Sequence, residues 1–268
     1  RTEELPRTGK GKPGKAFDGD FCPGCPLLEP TDVSSIEDRV ITPVQSSVLL
    51  TLKGQKSGPN QDRGVLIEGN HKKIVALFDG HGVYGHNSAD SAVKILPKLV
   101  QRTEMADADL RSAFKRADDL QPPNEGGCTA ILVIQNNRQV TVASLGDSTA
   151  MVVERKHKTI VAQAIHHKPK DPEERARIEK AGGQVEIPPE ETGLSSRVIF
   201  TTADGMEMGL AMSRCLGDKE GKDVGYLLAE PSILRIDLDA AKEYFLVVAS
   251  DGVMDNHQVD ELLTPLAQ

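Results

Sequence analysis

Two apolar runs in this chain end in the dipeptide Asp-Gly. Asp79-Gly80 follows the run 74–78, and Asp251-Gly252 follows the run 245–250. Short apolar runs are typical of buried β-strands, and a glycine after the acid lets another backbone segment approach closely. The pattern therefore places carboxylates at strand ends. Acids that converge on one point there must bind cations or keep their protons.

A β-hairpin is predicted around the turn pair Gly69-Asn70, which is flanked by the runs 63–68 and 73–78. Counting outward from the turn places Asp62 and Asp79 at the same end of the hairpin, about two residues out of register. Because a strand advances about 3.3 Å per residue, both acids stay within reach of a shared pair of cations.

A second hairpin is predicted from 130–135 and 139–144, with the turn residues Asn136-Asn137-Arg138 between them. Its second arm leads through Gly146-Asp147 into a further strand at 150–154. Asp147 is thus a third acid just beyond an apolar strand.

Helical periodicity covers residues 88–104, where Pro97 is expected to produce a kink, and residues 108–120. Clusters of strands with separate helices, rather than a regular alternation of the two, predict the α+β class.

A third helix carries its own start and stop signals. Asp171-Pro172 supplies an N-cap and a first-turn proline, and Glu174 is placed to complete a capping box. Gly182-Gly183 is expected to end the helix.

Composition and charge narrow the functional classes. The chain of 268 residues has a formal net charge of −8, which argues against broad nucleic-acid binding and suits an acidic, cation-filled cleft. No apolar run reaches the roughly 18 residues of a transmembrane span, and no secretory signal is visible.

The four cysteines point to an intracellular protein. Cys22-Pro-Gly-Cys25 has the spacing of a metal or redox site, but no second pair completes a zinc site. We therefore expect reduced thiols and a cytoplasmic or nuclear location. A monomer is also expected. Residues 1–30, rich in Gly, Pro and Lys, are expected to form a flexible arm before one catalytic domain at 31–268.

Nine short motifs follow one another between about residues 46 and 260. They are Asn60-Gln61-Asp62, Asp79-Gly80-His81-Gly82 with Gly85-His86, Gly127-Cys128-Thr129-Ala130, Gly146-Asp147-Ser148, His167-Lys168-Pro169, Ala181-Gly182-Gly183, Ser213-Arg214-Cys215-Leu216-Gly217-Asp218, Glu230-Pro231 and Ala249-Ser250-Asp251-Gly252-Val253-Met254-Asp255. This ordered series resembles the metal-dependent protein phosphatases of type 2C. The Gly85-His86 extension is similar to plant and protist members.

The resemblance implies a fold and an activity. The fold is α+β, a central sandwich of two antiparallel β-sheets flanked by α-helices, with metals in a cleft at one end. The activity is the hydrolysis of phosphoserine and phosphothreonine in proteins by a water activated by two Mn²⁺ or Mg²⁺ ions, with a third, weaker ion in some members.

The resemblance also implies roles for individual residues. Asp79 bridges both metals, Gly80 offers its backbone carbonyl, and Asp251 ligates one ion. Asp62 binds a metal directly or through ordered water. Asp147 touches a weaker third ion or supports the metal ligands from outside, with a plain turn residue as the alternative. The catalytic set is then His81, Asp79 and Asp62, with His81 as the general acid that protonates the departing oxygen.

Two further motif residues are interpreted as structural. Arg214 is expected to hold acidic loop groups through bidentate bonds. Cys128 is not expected to be a nucleophile, because the two-metal route uses water and needs no covalent intermediate.

The chain departs from the family pattern in two places. Related members carry a phosphate-binding Arg five residues before the position of Asp62, where this chain has Ser57; Lys56 is the candidate substitute, with Lys53 and Arg63 as alternatives. A further metal-binding Asp followed by Asn is not found before Gln268, so we expect the catalytic domain to lack its C-terminal end.

These departures leave a second hypothesis open, a catalytically impaired phosphatase-like scaffold that binds phosphoproteins or partners. A nucleotide-binding α/β protein is a third hypothesis. The absence of a Gly-rich strand-to-helix phosphate loop from the sequence argues against it.

Overall fold

The structure, a computed structural model, describes residues 31–32, 40–44, 47–51, 58–69, 72–101, 105–123, 126–202, 205–255 and 259–266. The predicted arm at 1–30 lies outside these residues, as does Lys56. The division of the chain into an arm and one domain therefore stays a prediction.

Sixteen strands are defined in the described part of the chain. They are β1 (Thr31–Asp32), β2 (Val40–Val44), β3 (Ser47–Thr51), β4 (Asp62–Glu68), β5 (Lys72–His81), β6 (Gly127–Cys128), β7 (Ala130–Asn136), β8 (Gln139–Leu145), β9 (Thr149–Glu154), β10 (Thr159–Gln163), β11 (Gln184–Glu186), β12 (Arg197–Thr201), β13 (Glu207–Leu210), β14 (Leu216–Gly217), β15 (Ser232–Asp237) and β16 (Tyr244–Ala249).

Six α-helices accompany them in the same residues: α1 (Gly85–Gln101), α2 (Asp107–Asp119), α3 (Pro172–Lys180), α4 (Lys219–Asp223), α5 (Asp251–Met254) and α6 (Val259–Leu266). A 3₁₀ turn spans Glu190–Thr192. The first three helices confirm the helical periodicity of the sequence, and Pro97 lies inside α1. None of the described helices is both long and apolar enough to cross a membrane.

Antiparallel sheets form the centre of the molecule. The main sheet runs in the order β1-β4-β5-β7-β8-β15, with β6 and β14 attached beside β5. A second sheet has the order β10-β9-β16, a third β11-β12-β13, and β2 pairs with β3. The architecture confirms the predicted α+β class.

The alternation of side chains along the strands explains the layers. On β7, Leu132 joins a core with Phe78 of β5, Leu96 of α1 and Phe114 of α2. The next residue on β7, Val133, faces the opposite way and packs with residues of β9 and β16. Successive strand residues point to opposite faces, so one strand serves both layers. Helices α1 and α2 therefore cover one face of the main sheet, and the second sheet covers the other.

A separate small core lies in the segment between β10 and β14. Ile178 of α3 packs there against Val198, Phe200 and Leu210 of the third sheet. Within this segment, residues 172–210 form α3 and the third sheet, and α3 lies beside the loop that carries Arg214.

The two predicted hairpins are present, with two corrections. The turn of β7–β8 is one residue shorter than predicted, since Asn136 pairs with Gln139 and Asn137 adopts a left-handed φ of 52°. In β4–β5, Glu68 pairs with Lys73, so four residues rather than two connect the strands. The predicted two-residue offset between Asp62 and Asp79 was therefore wrong.

Candidate metal centre

Asp62 and Asp79 lie directly opposite each other on neighbouring strands. The register of β4 and β5 pairs the two residues, because the longer turn shifts the pairing by two positions relative to the prediction. Side chains directly opposite each other on an antiparallel pair lie on the same face with Cβ atoms about 5 Å apart. The structure thus brings the two acids closer than the sequence indicated.

Asp251 reaches the same point from the second sheet. It begins α5, immediately after β16, and its carboxyl group hydrogen-bonds with that of Asp79. Asp79 also hydrogen-bonds with Asp62, and the hydroxyl of Ser250 donates to Asp62 Oδ2 at 3.0 Å. Three acids separated by up to 189 positions (251 − 62) therefore share one cluster.

The electrostatics of this three-acid cluster are unfavourable without a cation. Burial, together with repulsion from Asp62 and Asp251, raises the pKa of Asp79 to about 9. The pKa of Asp62 is also raised, first by burial and further by Asp251, although its hydrogen bonds to Ser250 and Asp79 and the charge of Arg63 oppose the rise. The cluster can bind a cation or hold a proton, as acids of this kind must.

Arg63 does not complete the cluster. Its guanidinium donates to Asp90 Oδ1 at 2.5 Å and to the backbone carbonyls of Asn60 and Asp62 at 2.8 Å each. With these bonds made, Arg63 is also a poor candidate for binding phosphate.

The three-acid cluster fits a hard divalent cation, because carboxylate oxygens are the ligands that Mg²⁺ and Mn²⁺ prefer.

Gly80 must be a glycine because of the backbone around it. A Cβ at this position would lie 2.4 Å from the carbonyl oxygen of Gly85 and 2.9 Å from that of Gln61. The absence of a side chain lets the loop before α1 fold onto the end of β5. The backbone of Gly85 and that of Gln61 therefore both pack closely against the residue that follows Asp79.

His81 is held by a residue to which the sequence analysis gave no role. Its Nε2 lies 2.6 Å from Oδ2 of Asp218, and the thiol of Cys215 donates to the same oxygen at 3.2 Å. Burial alone would raise the pKa of Asp218, but the nearby His81 and these hydrogen bonds lower it. Asp218 ends the Ser213–Asp218 motif, which was the only available signal, and 137 positions separate it from His81.

Asp147, the predicted ligand of a third ion, is held in an ion pair. Its side chain is 1% exposed, and its Oδ2 accepts from Lys168 Nζ at 2.5 Å. The following residue, Ser148, contacts the Thr129 hydroxyl at 2.7 Å, and Thr129 Oγ1 accepts a hydrogen bond from the backbone N–H of Asp79. Ser148, and not Asp147 itself, is therefore linked to the backbone of Asp79 through Thr129, while the charge of Asp147 is balanced by Lys168.

Glu174 forms a compensated network that the sequence analysis did not foresee. The side chain of Arg214 donates twice to its Oε1, while the side chains of Ser213 and Arg177 donate to Oε2 at 2.7 and 3.1 Å. Burial of Glu174 acts to raise its pKa, but these bonds outweigh burial and lower the pKa to about 2. The structural interpretation of Arg214 is confirmed.

The predicted capping box of α3 is wrong. Glu174 turns away from the start of the helix to meet Arg214, and Asp171 makes no side-chain bond to the helix. Instead, Asp171 Oδ2 accepts from the backbone N–H of Lys168. Gly182-Gly183 does end the helix, with the N–H of Gly183 donating to the carbonyl of Ile178.

Cys128 has the environment of a structural thiol. It is fully buried, and burial raises its pKa well above the ordinary range for cysteine. A thiol that stays protonated is a weak nucleophile, which agrees with the interpretation from sequence.

Comparison with known proteins places the chain in a family. The sequence model of the family described as protein phosphatase 2C matches residues 52–264. A curated relative, protein phosphatase 1L of Bos taurus, is 25% identical over 94% of this chain and 70% of its own length. The probable protein phosphatase 2C 61 of Arabidopsis thaliana is 30% identical over 85% of this chain and 74% of its own length.

Solved structures share the fold. The serine-threonine phosphatase 2C from Toxoplasma gondii superposes with a TM-score of 0.65 and 19% identity, covering 79% of each chain. Members of the family generally depend on Mn²⁺ or Mg²⁺. Together with the converging acids, these matches show that the chain belongs to the protein phosphatase 2C family and is a serine/threonine protein phosphatase.

Proposed function

We propose that this chain hydrolyses phosphoserine and phosphothreonine in proteins at the three-acid cluster, with two divalent cations, Mn²⁺ or Mg²⁺, held there. Asp79 would ligate both ions, and Asp62, Asp251 and the backbone carbonyl of Gly80 would complete the protein ligands. The observation that supports this most strongly is the contact of the Asp79 carboxyl group with both other acids.

The chemistry requires this arrangement of charge. A phosphate monoester dianion repels an attacking hydroxide, and bound divalent cations neutralise the phosphate oxygens and lower the pKa of a coordinated water. The protein would hold three carboxylates together in one half-buried site, where their combined negative charge balances the cations. Asp147, which is paired with Lys168, is the proposed ligand of a weaker third ion.

His81 is the proposed general acid. Because Asp218 is ionised and accepts only, the Nε2 of His81 carries the hydrogen of that bond. Its Nδ1 is buried and has no hydrogen-bond partner among the described residues. This nitrogen is therefore the one left to give a proton to the departing serine or threonine oxygen.

Phosphate binding by Lys56 stays a prediction from the resemblance, because Lys56 lies outside the described residues. A monomeric state and a cytoplasmic or nuclear location also stay predictions. The described cysteines, Cys128 and Cys215, are both free thiols, which agrees with a reducing compartment.

The test is a phosphatase assay on a phosphothreonine peptide with the full chain, after chelation and then after addition of Mn²⁺ or Mg²⁺. We expect turnover that requires the cation and saturates with it. Binding of the phosphopeptide without metal-stimulated turnover would contradict the proposal and favour the phosphatase-like scaffold.

A further inference from the structure

A second set of metal-binding side chains lies next to the three-acid cluster and differs from it in chemistry. The Nε2 of His81, the Sγ of Cys215 and a carboxylate oxygen of Asp218 all lie within 4.8 Å of one another. Asp218 Oδ2 is 2.6 Å from the imidazole nitrogen and 3.2 Å from the sulfur. The three-acid cluster offers oxygen alone, whereas this His-Cys-Asp set offers nitrogen, sulfur and oxygen.

The backbone makes room for these three groups. A Cβ on Gly127 would lie 2.2 Å from Asp218 Oδ2 and 2.8 Å from His81 Nε2, so only a glycine lets β6 pass beneath them. Asp218 adopts a left-handed backbone conformation, with φ of 45°, that a non-glycine residue adopts at a cost. The backbone at Gly127 and the backbone at Asp218 therefore both help to bring the three side chains together.

The set also has a path to solvent. Asp218, Gly126 and Gly217 line a cleft of about 1020 Å³ that opens between α2, α4 and the third sheet. Cys215 itself is fully buried, so an ion would enter past the carboxylate of Asp218. Lys222, whose charge acts on both Cys215 and Asp218, is paired with Asp118 and is not positioned to replace such an ion.

We propose that His81, Cys215 and Asp218 form a binding site for Zn²⁺, separate from the Mn²⁺ or Mg²⁺ centre. Nitrogen, sulfur and carboxylate oxygen are the ligands that Zn²⁺ takes in proteins, whereas Mg²⁺ and Mn²⁺ favour oxygen. On binding, the thiol proton leaves to solvent, and the hydrogen on Nε2 of His81 is exchanged for one on Nδ1, which has no partner among the described residues. The thiolate and the carboxylate then balance the two charges of the ion, which suits a buried site.

The distances need only a small adjustment. With Zn–S near 2.3 Å and Zn–N or Zn–O near 2.0–2.2 Å, the ligand atoms of a tetrahedral ion stand about 3.3–3.6 Å apart. The sulfur and the carboxylate oxygen are already close to that spacing, and His81 and Asp218 would separate by less than about 1 Å. A water from the cleft can take the fourth position.

The consequence for catalysis rests on the proposed function. A Zn²⁺ ion on Nε2 of His81 keeps the imidazole from carrying the second proton that a general acid must give. Zn²⁺ would therefore inhibit the phosphatase while Mn²⁺ stays in the three-acid cluster. The binding site itself can be tested without any activity measurement.

The experiment uses Co²⁺ as a spectroscopic probe for Zn²⁺. The full chain carries the substitutions Cys22→Ser and Cys25→Ser, which remove the other closely spaced thiol pair, and is first saturated with Mg²⁺. Titration with Co²⁺ should give a cobalt–thiolate charge-transfer band and the intense visible bands of a tetrahedral ion, at one Co²⁺ per chain. Zn²⁺ should abolish both sets of bands at one equivalent.

Two further substitutions decide whether Cys215 is the ligand. In the same background, Cys215→Ser should remove the charge-transfer band. It should also weaken Zn²⁺ binding by at least about 10-fold, because changing even a residue that only supports a metal ligand typically costs that much affinity. Cys128→Ser, a change at an equally buried thiol nearby, should leave both unchanged. Circular dichroism verifies that each variant is folded, and Asp218→Asn serves as the second ligand variant should Cys215→Ser fail to fold.

The outcomes separate this proposal from the proposed function. The zinc site is overturned, whatever the phosphatase activity, if the Cys22→Ser, Cys25→Ser protein shows no thiolate band or if the band persists in Cys215→Ser. Where Asp218→Asn replaces Cys215→Ser, undiminished affinity for Co²⁺ overturns it. A band that disappears as expected supports the site even if the chain shows no turnover.

Discussion

Two carboxylate sites in this protein, the buried Glu174 and the half-buried three-acid cluster, show opposite electrostatics. Glu174 is surrounded by Arg214, Arg177 and Ser213, and its pKa falls to about 2 because their hydrogen bonds outweigh the effect of burial. Asp79 meets Asp62 and Asp251 instead, and its pKa rises to about 9 because burial and two like charges act together. Burial acts to raise the pKa at both sites, so burial alone does not explain the difference.

The contrast indicates which acid site is structural and which needs a ligand. Glu174 has its cations within the protein, so it joins α3 to the Ser213-Arg214 loop and requires nothing from solution. The three-acid cluster has no such partner among the described residues, since Arg63 is bonded to Asp90. A buried charge without a partner is costly, and a divalent cation from solution removes that cost.

The largest expected effect comes from removing the central acid. Asp79→Asn should lower kcat/KM for a phosphothreonine peptide by about 10³-fold, because the loss of several kcal/mol of metal-derived stabilisation corresponds to that factor. Asp237→Asn, a change at an exposed acid on β15, is the control and should retain the activity of the parent. Near-parental turnover of Asp79→Asn would remove Asp79 from the metal centre.

Removing Glu174 should instead affect stability. Glu174→Ala leaves the mostly buried Arg214 and Arg177 without their acid and should lower the free energy of unfolding by about 3–5 kcal/mol. Glu179→Ala, on the same helix and paired with Arg175 at the surface, should cost less than about 1 kcal/mol. Denaturant titration measures both, and equal losses would show that the Glu174 network stabilises the fold no more than a surface ion pair does.

Acid should act on the Glu174 network with a defined sign. A carboxyl group whose pKa is lowered by folding contributes stability above its unfolded pKa of about 4.5 and loses it as the pH falls towards 2. This group should contribute about 2 kcal/mol of the acid-induced loss of stability after allowance for solvent screening. In Glu174→Gln the loss between those pH values should be smaller by that amount; an unchanged loss would show that Glu174 does not titrate there.

The three-acid cluster should respond to pH in the opposite sense when metal is absent. The raised pKa of Asp79 means that the folded, metal-free protein loses stability as the pH rises from about 4 to about 9. At neutral pH, Asp79→Asn should therefore stabilise the chelated protein by at least about 1 kcal/mol. A lower melting temperature for chelated Asp79→Asn than for the chelated parent would show that the three acids do not destabilise the metal-free protein.

The sequence predicted the elements better than their contacts. The runs 63–68 and 73–78 gave the first hairpin and placed both acids at one end, because strand periodicity and polar turns are local properties. The register depended on the length of the turn, and Glu68 pairing with Lys73 moved Asp62 by two positions. Turn composition did not distinguish a two-residue from a four-residue connection.

Long-range contacts could not be predicted from local pattern. Glu174 has the spacing of a capping-box acid, and nothing near it in sequence indicates Arg214, 40 residues further on. Asp218 likewise meets His81 only after the chain has passed through the third sheet. Such partners are determined by tertiary packing, which a short stretch of sequence does not specify.

The most direct test is calorimetric titration of the chelated protein with Mn²⁺ at pH 7, in buffers of different ionisation enthalpy. Because Asp79 is protonated in the metal-free state, binding should release about one proton per chain, and this release should disappear above pH of about 9. Glu174→Gln should behave as the parent does, and Asp79→Asn should lose tight binding together with the proton release. Mn²⁺ binding of equal strength in all three proteins, without proton release, would contradict the claim that the three-acid cluster is the metal centre.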